Sequence, residues 1–260
     1  MTFFKYGCGI PAGNLNGVFV TDACRSREKR MLDHNGRKID YLRISVTDRC
    51  NLRCRYCMPD GIRSVPMSQI LTYEEIRTVA EAAAELGIRH IKLTGGEPLV
   101  RRGITYLIRE LKKIPAIESV TLTTNGTLLK KELPGLLEAG LDAVNISLDT
   151  MDREQYREIT GSDGLESVLD AVRSAANVAA AAGEKTDSRK SPFRVKINAV
   201  SLALGEENLR ALVSLAKDMP VDVRFIEMMP IGYGSSSRSV IRETPAETGN
   251  FWKRVGTPML

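Results

Sequence analysis

Cys50, Cys54 and Cys57 fall within eight positions of one another in DRCNLRCRYCMPD, residues 48–60, directly after YLRISVT, a run that reads as a β-strand. Thiolate is the preferred ligand of zinc and of iron–sulfur clusters. A closed structural zinc site takes four ligands, and the only histidines, His34 and His90, lie in unrelated contexts. Closing such a site would recruit Cys24, Cys8 or His34 from the irregular first segment. Three thiolates spaced Cys-x3-Cys-x2-Cys can instead hold three irons of a [4Fe–4S] cluster and leave the fourth iron open for a substrate or cosubstrate. A second candidate lies in LTGGEP, residues 93–98, where a strand ends and two glycines let backbone groups approach a ligand closely. Taken by itself, a Gly-Gly pair after a strand is more often just a turn, and its position relative to the cysteine loop is what favours a ligand.

These loops need a scaffold, and the chain alternates strand-like and helical segments from residue 40 onward. Strands are expected at 41–47, 89–94, 118–124, 142–148, 194–202 and 221–228. Helices are expected near 72–87, 103–113, 130–139, 164–183 and 205–218. The first of these opens with Thr72 and Glu75 in a capping-box arrangement and closes at Gly87. The strands carry polar residues on one face: Arg43, Ser45 and Thr47; Lys92 and Thr94; Thr121 and Thr123; Asn145, Ser147 and Asp149; Lys196 and Asn198. Parallel strands buried on both faces read as continuous Val, Ile and Leu. The pattern therefore predicts an α/β fold, an open, partial parallel β/α barrel of about six strands around a polar cavity, with helices outside. A flat sheet with one solvated face is the alternative. The parity of the sixth strand is ambiguous, since Phe225, Glu227 and Met229 alternate against Arg224, Ile226 and Met228.

Composition limits what such a barrel does. The chain has 260 residues, 43% hydrophobic and 5% aromatic, enough for a sizeable core. No apolar run approaches the roughly 18 residues of a membrane span. The opening MTFFKYGCGIPAGN lacks the basic start and apolar core of a secretory signal, so a cytoplasmic location is expected, with no membrane partner. The 37 basic residues are interspersed with 32 acidic ones for a net charge of +5, which implies no nucleic-acid surface and leaves room for a local anion pocket. Five cysteines in such a chain point to metal binding or catalysis. Residues 1–39 read as an extension and lead-in, 40–231 as the barrel, and 232–260, rich in Ser, Gly, Thr and Pro, as an irregular tail.

The cysteine spacing, with Tyr56 just before the third thiol, resembles the radical S-adenosylmethionine superfamily. DYLRISVTDRCNLRCRYCMP, TGGEPLVRR, LTTNG, NISLDT and RFIEMMPIG, in this order, resemble the GTP 3′,8-cyclase family of molybdenum cofactor biosynthesis over residues 31 to about 234. The resemblance implies that Cys50, Cys54 and Cys57 hold a [4Fe–4S] cluster. It implies that Tyr56, Gly96, Ser147 and Met229 contact S-adenosyl-L-methionine, and that Arg43, Lys92, Thr123 and Lys196 contact GTP. At position 92 the family usually has arginine, and lysine keeps the charge but not the two-pronged donor geometry. In the family, an electron from the cluster cleaves the sulfonium, and the resulting 5′-deoxyadenosyl radical takes hydrogen from the ribose C3′, which then attacks guanine C8. An electron donor and a downstream cyclic pyranopterin monophosphate synthase are the implied partners, and a homodimer is allowed. Family members also carry three further cysteines for a second, guanine-binding cluster and a Gly-Gly tail. No cysteine follows Cys57 here. The expectation is a truncated cyclase that cleaves S-adenosylmethionine without productive cyclisation. Another radical enzyme, such as one modifying peptides, and a non-catalytic iron–sulfur or zinc module are the other readings.

Overall fold

The computed structural model describes residues 31–58, 61, 65–184, 193–202 and 204–228. Six strands form one all-parallel sheet in chain order: β1 (Tyr41–Ser45), β2 (His90–Thr94), β3 (Ser119–Thr124), β4 (Ala143–Ser147), β5 (Arg194–Ser201) and β6 (Val221–Glu227). The crossovers are α1 (Tyr73–Glu85), α2 (Ile104–Lys112), α3 (Leu129–Glu138), α4 (Arg153–Thr160), α5 (Leu165–Glu184) and α6 (Glu206–Asp218). All six expected strands are present, and so are the five expected helices. Helix α4 is the α-helix that sequence periodicity missed.

Alternation along the strands separates two environments. Ile91, Leu93, Val120, Leu122, Val144, Ile146, Val195 and Ile197 are buried almost completely and belong to one continuous core. Buried aliphatic side chains of this size each contribute roughly 1.5–3 kcal/mol relative to exposure. The opposite face carries the polar set, and the register aligns it: Arg43 stands beside Lys92, Lys92 beside Thr121, Thr123 beside Asn145, Asn145 beside Lys196, and Lys196 beside Asp222. Because β6 pairs Asp222 with Lys196 and Arg224 with Asn198, Arg224 belongs to the polar face. That settles the parity of the last strand.

The sheet curves. Strands lie about 4.8 Å apart, so β2 and β6 in a flat sheet would be separated by about 19 Å. Instead the charge on Arg224 of β6 acts on Lys92 of β2, and both side chains line one cavity. The polar face is therefore the inside of an open barrel, and β1 and β6 are its unjoined edges.

Helix ends follow local chemistry. Thr72 caps α1, its hydroxyl accepting from the Glu75 amide at 3.1 Å while the Glu75 carboxylate accepts from the Thr72 amide at 2.7 Å. Asp152 caps α4 by accepting from the Gln155 amide at 2.8 Å, and Gly161 ends that helix with φ of 70°. No helix among the described residues is long and apolar enough to cross a membrane. Replacing Thr72 with alanine removes one half of the capping box. Urea denaturation is expected to read a loss of about 1 kcal/mol with an unchanged denaturant slope.

Candidate functional site

The three cysteines sit on the loop that leaves the carboxyl end of β1. Backbone hydrogen bonds hold this loop from two directions. On one side the Arg53 and Arg55 amides donate to the carbonyls of Thr160 and Ile159 at the end of α4, each at 2.9 Å. On the other, the Gly96 amide donates to the Thr47 carbonyl and the Glu97 amide to the Arg49 carbonyl, each at 2.8 Å. A Cβ at Gly96 would stand 2.3 Å from the Arg49 carbonyl oxygen, so only glycine lets the β2 turn rest against the segment entering Cys50. Glu97 locks that turn: its buried carboxylate accepts from the Leu99 amide at 3.0 Å, the Thr124 hydroxyl at 2.7 Å and the Asn125 amide at 2.6 Å. Burial pushes the Glu97 pKa up, and these donors oppose the shift.

The donor set suits an iron–sulfur cluster. Among the described residues, no three His, Cys, Asp or Glu side chains converge closely enough to ligate one metal ion. A four-iron cluster places each thiolate on a different iron and so needs wider spacing than a single ion does. Burial, followed by the charges of Asp149, Cys50 and Cys57, pushes the Cys54 thiol up to about 12. Cys57 is raised by burial and then by Cys50, so the three sulfurs are electrostatic neighbours. The Cys50 sulfur already accepts from the Leu52 amide at 3.4 Å and lies 3.9 Å from the Asn125 side-chain nitrogen. Neither described histidine completes a closed zinc site. His34 lies in an exposed turn beside Asn35, and His90 pairs with Ser119 at 2.9 Å at the amino end of β2, opposite the cysteine loop. Cys8 and Cys24 lie outside the described residues.

Beside Cys54 is a cavity of about 30 Å³ lined by Tyr56, Asn125, Ser147, Asp149, Tyr156 and neighbours. The Tyr56 hydroxyl donates to one Asp149 oxygen at 2.8 Å, and the other accepts from the Val200 amide at 2.8 Å. Burial raises the Asp149 pKa against both donors. The Asn208 side chain donates to the Asp149 carbonyl at 2.8 Å, so β4, β5 and α6 together fix the residue that holds Tyr56. Of the expected S-adenosylmethionine contacts, Tyr56 and Ser147 line this cavity, and Gly96 supports the loop beneath the cysteines. Met229 lies outside the described residues. Asn125 accepts from the Thr127 amide at 3.0 Å and donates to Asn51 at 2.8 Å.

Deeper in the barrel, a cavity of about 820 Å³ opens between the first residues of β1 to β5. Lys92, Lys196 and Arg224 line it. Arg43 is outside the lining but stands beside Lys92 in register. Thr123 also lies outside it, accepting from the Asn145 side chain at 3.5 Å, one step along the strand toward the cysteine end. Burial lowers the Lys92 pKa, and Arg224, Arg43 and Lys196 lower it further. The only carboxylate salt bridge to these cations among the described residues is Asp222 to Lys196, at 3.4 Å. Excess positive charge in a half-buried space is chemically suited to a multiply charged anion.

Sequence reasoning missed two contributors. Arg224 was hidden by the ambiguous parity of β6. Tyr156 sits on α4, an eight-residue polar helix whose one usable signal was Asp152 with Gln155 three positions later, followed by Gly161. Because Gly96 packs directly against backbone, Gly96→Ala is expected to lower stability by roughly 1–3 kcal/mol in urea denaturation. A loss within about 0.5 kcal/mol would mean that the β2 turn and the cysteine loop are not clamped together.

Comparison with known proteins agrees with this geometry. The chain is 47% identical over 218 residues to a protein of Pelotomaculum thermopropionicum named GTP 3′,8-cyclase, covering 83% of this chain and 63% of that one. It is 43% identical over 224 residues to a protein of the same name from Petrotoga mobilis, covering 85% of this chain and 62% of that one. It thus spans less than two thirds of the length of these relatives. Among solved structures, Streptococcus suis SuiB bound to the precursor peptide SuiA superposes with a TM-score of 0.65 at 18% identity, covering 84% of this chain and 45% of that one. That likeness shows the fold. Residues 44–180 match the Radical SAM superfamily, the family to which the chain belongs.

Proposed function

We propose that the chain is the radical-generating barrel of a GTP 3′,8-cyclase, converting GTP to (8S)-3′,8-cyclo-7,8-dihydroguanosine 5′-triphosphate in molybdenum cofactor biosynthesis. The observation that carries this reading is the gathering of Arg43, Lys92, Lys196 and Arg224 inside one barrel whose carboxyl rim bears the cysteine loop. The names of the relatives identified above support it. Cys50, Cys54 and Cys57 hold a [4Fe–4S] cluster, and Tyr56, Gly96, Ser147 and Met229 contact S-adenosylmethionine. The bound pair supplies one-electron cleavage of a sulfonium and, from it, hydrogen abstraction.

The chain's own residues bind and orient. The cavity volume of about 820 Å³ lies within the range of roughly 300–1,000 Å³ usual for small-molecule sites. A triphosphate neutralises the cations that depress Lys92, and Thr123 contacts GTP nearer the cysteine end. Peptide substrates offer no comparable anion, so the cation cluster favours the nucleotide reading over a peptide-modifying one. An external electron donor, a downstream cyclic pyranopterin monophosphate synthase, a homodimer and a cytoplasmic location belong to the same proposal.

Loss of one charge-assisted hydrogen bond costs about 1.5–3 kcal/mol. Lys196→Met and Lys92→Met are therefore each expected to weaken GTP binding by about tenfold or more in calorimetry, and unchanged affinity would remove the triphosphate from this cavity. The pH dependence has a definite sign. Lys92 titrates below 10.5 in the free chain, and an anion restores its value, so GTP binding takes up protons within that window. Affinity should fall as the pH rises toward 10.5, and calorimetry in buffers of different ionisation enthalpy reads the uptake. The reaction itself is tested by incubating the anaerobically reconstituted chain with reductant, S-adenosylmethionine and GTP deuterated at C3′. Deuterium in the 5′-deoxyadenosine is expected. Formation of 5′-deoxyadenosine without label, at a rate independent of GTP, would contradict the substrate assignment.

A further inference from the structure

Tyr156 is 3% exposed, and its hydroxyl oxygen is buried with no hydrogen-bond partner among the described residues. A hydroxyl taken out of water without a partner forfeits the hydrogen bonds it made there. Such a group marks a place where a partner is absent. The nearest polar side chain, Thr160, lies close enough to influence the phenol, but its hydroxyl is engaged with the backbone. The Thr160 hydroxyl donates to the Tyr156 carbonyl at 2.8 Å and accepts from the Ser162 amide at 3.2 Å. Both Asp149 oxygens are taken by the Tyr56 hydroxyl and the Val200 amide.

The hydroxyl belongs to a side chain lining the small cavity, and Cys54 lines the same cavity. The two groups are electrostatic neighbours, because after burial the charge on Cys54 is the largest influence on the Tyr156 phenol. Supply and demand match across this space. The Cys50 sulfur has the Leu52 amide and the Asn125 side chain as donors, whereas the Cys54 sulfur has only its own backbone amide among the described residues. An unpartnered buried hydroxyl thus belongs to the same small cavity as a sulfur with no side-chain donor.

We propose that the Tyr156 hydroxyl donates a hydrogen bond to the Cys54 sulfur when that sulfur is a metal-bound thiolate, and thereby sets how readily the bound cluster takes up an electron. The inference rests on the reading that Cys50, Cys54 and Cys57 hold an iron–sulfur cluster. A hydrogen bond to a ligating sulfur draws electron density away from the metal and favours the more negatively charged, reduced form. Tyr156 thus acts on the electron-transfer step through Cys54.

The test is Tyr156→Phe in the full chain, which deletes one oxygen and keeps the ring that packs α4. Wild type and variant are reconstituted anaerobically, assayed for iron and sulfide, and titrated redox-wise with detection of the reduced cluster by electron paramagnetic resonance. Equal cluster content is expected, with the midpoint potential of the variant shifted to more negative values. Electron–nuclear double resonance after exchange into deuterium oxide should also show loss of one exchangeable proton coupled to the cluster spin. A variant that keeps the wild-type potential or the coupled proton overturns the proposal. So does a variant that fails to assemble a cluster where wild type succeeds, since Tyr156 would then serve packing. If wild type itself assembles no cluster, the cysteine reading fails first, and that outcome is distinct from the other two.

Discussion

The cysteine loop has almost no regular structure of its own, and its shape depends on four backbone hydrogen bonds that grip it from opposite sides. Two come from the end of α4 and two tie it to the turn after β2. Each grip has a sequence basis. Gly161 ends α4 in the left-handed region with the carbonyls of Ile159 and Thr160 turned to the loop, and Gly96 removes the side chain that would keep the β2 turn at a distance. A site that must hold a cluster in one orientation needs such support, because loop entropy would otherwise spread the thiols over many arrangements.

Charge is distributed along the barrel with a purpose visible in its hydrogen bonds. Near the carboxyl rim the buried acids Glu97 and Asp149 are occupied by backbone amides and hydroxyls, so they brace loops and are not free to bind cations. Farther inside, the cations outnumber their carboxylate partners and depress Lys92. Acids engaged by hydrogen bonds and cations in excess thus occupy separate depths of one barrel. Register places Arg43 beside Lys92, and the curvature of the sheet brings Arg224 toward it from β6.

Much of this was legible in the sequence because two periodicities coincide with two environments. Ile91 and Leu93 against Lys92, or Val195 and Ile197 against Lys196, give the strands, their facing and the polar interior at once. The capping box at Thr72 gave a helix start to the residue. What was not legible depends on contacts between distant segments. The hydrogen bond from Tyr56 to Asp149 spans 93 positions, and no local pattern announces it. Helix α4 is short and polar, so its apolar side consists of little beyond Tyr156 and Ile159. Arg224 sits on a strand where apolar residues occupy both faces, and only pairing with β5 shows which face turns inward.

On the function proposed above, three thiolates hold a cluster with one iron left to bind a small molecule. Mössbauer spectroscopy of the anaerobically reconstituted chain, with and without S-adenosylmethionine, measures this most directly. The predicted result is about four irons per chain, one of which changes its isomer shift when S-adenosylmethionine is added. Four irons that remain equivalent, or a single bound zinc in place of the cluster, would contradict it.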